Sequence, residues 1–328
     1  MRDKTLDFLK SIGLVCIIMA HVLPPTFIFQ LRNFDVILMI IVSCILFLRR
    51  NTSFDRTLKD NCKYLKKRFS RLVIPTWIFL IVYFSIFILM TKKIDFDLIL
   101  SSFLLYEGIG YVWIIRIYLL IAIMLPIVIK KINKKNYLTL LILIFIHEVA
   151  CSLGLYDNKL LDYFISYLIP CYIIIFVSGW LINNSNKKIC IFSIINLFLF
   201  IIIAFFLYLK YGKFIDTNYM KYPFRIYYLS YAFFVSGFLL ILSKNNKIVR
   251  WINKSKIIDF LSKNSLWIYL WHILVLSCVN YTMININWVL KFLITVLGTS
   301  IIVIIQKYLI NILEKKGINK KFLEVFKG

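Results

Sequence analysis

Ten predominantly apolar runs constrain this chain more than any other feature. They lie near residues 8–29, 34–48, 72–90, 110–129, 137–155, 161–182, 189–209, 224–242, 264–283 and 288–312. A helix rises about 1.5 Å per residue and must cover a hydrocarbon core about 30 Å thick, so runs of this kind are the length a bilayer demands. Lipid offers the backbone no water, and each run must therefore satisfy its own N–H and C=O groups as a helix. The composition agrees, with 61% hydrophobic residues and mean hydropathy +0.85 over 328 residues. No linker, internal repeat or low-complexity tract divides the chain. The expected architecture is all-α: a polytopic membrane protein of about ten transmembrane helices around a central polar cavity, forming one transmembrane domain over residues 1–328. No small-residue cleavage site follows the first run, which reads as an uncleaved span.

A net charge of +25 would suggest nucleic acid in a soluble protein. Its placement argues for topology instead. With the N-terminus in the cytoplasm, the segments on that side collect most of the 40 Lys and Arg. The stretch RRNTSFDRTLKDNCKYLKKRFSR (49–71) is the densest. This is the positive-inside pattern, and it predicts that both termini are cytoplasmic and that the cations face anionic lipid. No nucleic-acid partner is needed. The seven Cys show no CxxC spacing and read as small buried hydrophobes, with neither a disulfide framework nor a metal site.

Within the first run, Lys10 and His21 are eleven residues apart, close to three helical turns, and share a face with Asp7. His21 would lie about 16 Å along the helix from Lys10. An ionisable group at that depth calls for a protein interior or a wet cavity. Pro24 and Pro25 must break the helix just beyond it. A neutral imidazole there is suited to act as general base towards a hydroxyl, and Asp35 is the candidate to hold its tautomer. Arg68 and Arg71, in KKRFSRLVIP, share a helix face at the cytoplasmic mouth and suit phosphate, because guanidinium forks match it. Arg116, in YVWIIRIYLL, lies inside a span, where an Arg is paired or functional; Glu148, beside His147, is its expected partner. His272, in SLWIYLWH, serves equally well for packing or chemistry. Lys210, Lys213, Lys221 and Arg225 stand on the outer side against the charge rule, and Glu107 is a weaker outer candidate. No Walker loop, GxSxG, HExxH or dinucleotide fingerprint occurs, which removes support for ATP-driven transport and soluble-type hydrolysis.

LDFLKSIGLVCIIMAH, RFSRLVIP, YVWIIRIYLL and KNSLWIYLWH occur in an order that resembles the acyltransferase-3 family of bacterial membrane proteins. In the first, Lys10 stands where Arg is commoner. FFVSGFLL (233–240) is similar to the family's Phe-Phe-x-x-Ser-Gly-Phe element but comes late; at the usual early place the chain has Ser43–Cys44. The resemblance implies transfer of an acyl group from cytosolic acetyl-CoA to a hydroxyl of an envelope glycan or lipid-linked saccharide, in the bacterial cytoplasmic membrane and without a metal. The reading of the residues fits that implication, with His21 and Asp35 as the candidate catalytic residues and Lys10, Arg68 and Arg71 on the CoA phosphates. Trp113, Arg116, Glu148 and His272 are the candidate acceptor-binding residues. The competing readings are an exporter of a glycan or small solute, and a non-catalytic subunit of a polysaccharide machine.

Overall fold

The computed structural model of the chain describes residues 3–50, 57–92, 94–106, 108–132, 137–156, 165–282 and 286–327. Among them there is no strand. Helix α1 covers Lys4–His21, α2 Thr26–Arg32, α3 Asp35–Arg50, α4 Leu58–Thr91, α5 Phe96–Phe103, α6 Trp113–Ile132 and α7 Tyr137–Ser152. They are followed by α8 Leu168–Asn183, α9 Asn186–Tyr211, α10 Ile226–Leu242, α11 Asn246–Lys254, α12 Lys256–Lys263, α13 Ser265–Thr282, α14 Trp288–Lys315 and α15 Lys320–Lys327.

The breaks have local causes. The first apolar run is cut as its proline pair predicts: α1 stops at His21, Leu23 takes the left-handed region at φ 55°, and α2 starts after Pro25. Asn33 ends α2, its N–H donating to the Gln30 carbonyl at 3.1 Å. Asp95 opens α5 by accepting the Leu98 N–H at 2.9 Å, and Asn245 opens α11 by accepting that of Lys247 at 3.0 Å, the usual role of Asx at an N-cap. α10 and α11 meet at an 83° bend. Helix α4 is 34 residues long, about 51 Å, well beyond the hydrocarbon thickness. Its first half is the basic segment that composition assigns to a loop; Pro75 lies inside the helix, where it cannot donate to the carbonyl of Arg71.

Among the described residues, five helical segments are long and apolar enough to cross a membrane, with a sixth if α10 and α11 count as one; α6, α7 and α8 contain shorter apolar helices. The chain falls into two compact units. The first comprises residues 1–16, 25–57 and 120–255. In it α9 packs on α10, α3 packs on α8 and α10, and α7 packs on α8. The second comprises residues 17–24, 58–119 and 256–328. There α13 packs against α4 and α14, and α15 lies against α4 and α14. Trp271 donates to Gln306 at 2.6 Å across α13 and α14.

Candidate active site

The second unit brings together two of the three histidines. His21 ends α1, half-buried, and its Nδ1 lies 2.8 Å from Nε2 of His272 on α13. The rings are nearly parallel, 14° apart with centroids at 5.0 Å. Tyr111 stands edge-on to His21, 4.7 Å between centroids. His272 is fully buried, and its Nδ1 is against the backbone carbonyl of Tyr269, one helical turn earlier. The Tyr269 hydroxyl donates to the carbonyl of Tyr111 at 2.5 Å, tying α13 to the turn before α6. Both histidines were singled out from sequence, but their contact was not, because it joins residues far apart in the chain. Tyr111 carried no sequence signal beyond the aromatic stretch that contains it. Two imidazoles in hydrogen-bond contact can hold one proton between them and present the outer nitrogen of one ring as a base.

Asp35 is held in a buried polar network. At the start of α3, in the first unit, it is buried to 1% exposure. Its Oδ2 accepts from Arg32 Nη1 at 2.8 Å, while Oδ1 accepts the Val36 N–H at 2.7 Å and lies 3.7 Å from Lys221 Nζ. The nitrogen found at Nδ1 of His21 belongs to His272, and the Asp35 carboxylate pairs with two cations of its own unit. Around it, Lys221 donates to Asn33 Oδ1 at 3.1 Å and Asn33 to Thr217 at 2.8 Å, and the Thr217 N–H and hydroxyl both reach Gln30 Oε1 at 3.0 Å. The segment before α10 is thereby fastened to the α2–α3 turn. Burial pushes the Lys221 ammonium down to about 8, against the opposing pull of Asp35. Lys221 was noticed only as an outer cation, and Arg32 not at all.

Arg116 sits in the first turn of α6, not in the middle of a span, and donates from Nη1 to the Tyr106 carbonyl at 2.8 Å. Glu148, expected as its partner, pairs with Arg225 at 2.9 Å and accepts the Ile226 N–H at 2.7 Å, closing the N-terminus of α10. Trp113 is the first residue of α6 and is half-buried. Arg68 and Arg71 lie on α4; Arg68 donates to the Tyr64 hydroxyl at 3.2 Å, and Arg71 is exposed. Lys10 is half-buried on α1, which runs unbroken to His21, so the eleven-residue spacing is helical. Glu107 falls outside the described residues.

A family model described as "Acyltransferase domain" (Acyl_transf_3) matches residues 3–307. No curated protein and no solved structure matches the chain. The match takes in nearly all of the apolar helices as well as both histidines of the contact, and with it the chain is placed: it belongs to the acyltransferase-3 family of multi-pass membrane proteins.

Proposed function

We propose that this protein is an integral-membrane O-acyltransferase that moves an acetyl group from cytosolic acetyl-CoA to a hydroxyl of a cell-envelope glycan. The observation that carries the reading is the His21–His272 contact inside a chain of an acyltransferase family. His21 is the general base. It takes the proton of the acceptor hydroxyl as that oxygen attacks the thioester carbonyl; the new C–O bond forms, the C–S bond breaks, and the proton passes from His21 to the departing CoA thiolate. Arg116 stabilises charge on the carbonyl oxygen, the task to which a fixed guanidinium is suited. Arg68, Arg71 and Lys10 hold the phosphates of CoA, for which Arg is matched by its planar fork and Lys by its point charge. Trp113 contacts the acceptor. The Glu148 carboxylate is engaged by Arg225 and the start of α10 and is left a structural part. Both termini lie in the cytoplasm, as the excess of Lys and Arg in alternate segments supports.

The test compares wild type with His21→Ala, both purified and shown to be folded. CoA release from acetyl-CoA is measured with and without an envelope-glycan extract, together with label on the glycan. Acceptor-dependent release that falls at least about 100-fold in the variant is the expected outcome. Folded wild type that binds no acetyl-CoA and releases no CoA would sink the enzyme and make solute export the working reading.

A further inference from the structure

We propose that His272 is a positioning residue that fixes the tautomer of His21 and thereby makes Nε2 of His21 the basic atom. The inference rests on the acyl-transfer reading only for its consequence; the hydrogen-bond logic stands apart from it.

The Tyr269 carbonyl oxygen can only accept, so the His272 nitrogen against it, Nδ1, carries the hydrogen. A neutral imidazole has one N–H, and Nε2 of His272 is therefore an acceptor. Facing it at 2.8 Å is Nδ1 of His21, which must then be the donor. The hydrogen of His21 is consequently on Nδ1, and its lone pair is on Nε2, the nitrogen turned away from His272. An unconstrained histidine side chain favours the opposite tautomer, with hydrogen on Nε2 and the lone pair beside the backbone. The contact reverses that preference and leaves the basic lone pair on Nε2 of His21.

The same chain shows what His272 does not do. A proton passed to Nε2 of His272 would need an exit through Nδ1, and the carbonyl beyond it cannot accept a proton covalently. The relay ends there. His272 is fully buried, and a second positive charge in that place has no water to solvate it. It acts as a neutral acceptor that becomes a better partner when His21 is protonated, because a bond to a charged donor is stronger than one to a neutral donor. In the expectations from sequence His272 was a candidate for binding the acceptor; the geometry assigns it to the base.

The substitutions that separate this from a packing role follow from the atoms. His272→Gln keeps a carbonyl oxygen where Nε2 was and can still accept from His21. His272→Leu keeps bulk and removes the acceptor. The chain has only three histidines, so nitrogen-15 labelling of histidine in the full-length protein in lipid nanodiscs gives three imidazoles, with His147 and His21 assigned by their own substitutions. The expected spectrum has hydrogen on Nδ1 of His21 in wild type and His272→Gln, and on Nε2 of His21 in His272→Leu. Turnover should follow, with kcat down about 100-fold in His272→Leu, largely restored in His272→Gln, and KM for acetyl-CoA unchanged in both. Hydrogen on Nε2 of His21 in folded wild type, or on Nδ1 in His272→Leu as in wild type, would overturn the proposal whatever the enzyme's activity. A confirmed tautomer with no acyl transfer would leave the inference intact and remove the function proposed above.

Discussion

Asp35 holds a single carboxylate between two cations in a space nearly closed to water, with Arg32 and Lys221 each 4% exposed. The cluster carries one net positive charge, and that imbalance ranks its substitutions. Asp35→Asn leaves two buried cations without a counter-charge and should cost about 3–5 kcal/mol. Lys221→Met breaks only its own ion pair, leaves a neutral Arg32–Asp35 pair and should cost about 1 kcal/mol or less. The two differ in pH behaviour as well. Lys221 is held near 8 when folded, against 10.5 when unfolded, so across that interval the unfolded chain binds more protons and stability rises with pH. The lysine's contribution to that rise is about 3 kcal/mol. Unfolding in detergent followed from pH 7 to 10 should show a wild-type increase that Lys221→Met lacks. Equal damage from the two substitutions, or the same slope with and without Lys221, would show that the cluster is not organised by its charge. Asp35 was legible as an acid at the start of a span, but its partners were not. Arg32 lies in a short helix that the proline pair obscures, and Lys221 returns from a distant loop, so proximity along the chain pointed to His21 instead.

At the scale of elements, the packing of α9 on α10 depends on a missing side chain. Gly237, in the FFVSGFLL stretch, faces Ser193 so closely that an added Cβ would collide with the serine Oγ, while the serine Cβ would stand at an ordinary 3.6 Å. Small residues at such a crossing allow two backbones to approach where lipid provides no hydrophobic drive. Gly237→Ala alone should destabilise, because Ser193 Oγ must leave the Ile189 carbonyl it binds at 2.9 Å. Combined with Ser193→Ala the collision vanishes, and alanine is the better helix former by about 1 kcal/mol. The double variant should therefore match or exceed wild type in thermal unfolding. A double variant no better than Gly237→Ala alone would exclude the serine as the obstacle. The helices themselves were largely readable, since apolar runs and breaker residues are local signals: α9, α10, α13 and α14 lie close to their runs at 189–209, 224–242, 264–283 and 288–312. Misreadings arose where composition and conformation part. The basic stretch that opens α4 is helical from Leu58, because Lys and Arg are good helix formers and hydropathy records only their charge.

The whole molecule exposes apolar surface that water would not tolerate. In α9 and α14 only 17% of the most apolar window is buried, and Phe198, Phe205, Phe206, Leu297 and Ile301 all lie more than half open. Continuous patches of that size belong against lipid tails. Which way the chain threads that lipid is a separate question, and charge bears on it. The basic start of α4 and the segment between α9 and α10 are separated by an odd number of the expected spans, so they should face opposite sides of the membrane. Cys62 lies exposed in the former and supplies a native probe; Lys213, exposed in the latter, is a site for an introduced cysteine. With the remaining cysteines replaced, a membrane-impermeant maleimide applied to intact spheroplasts should label Lys213→Cys and spare Cys62 until the membrane is opened. Labelling of Cys62 from outside would invert the topology. It would move Arg68 and Arg71 away from the compartment that holds acyl-CoA, and the donor side of the proposed reaction would fall even if the histidine pair survived every other test.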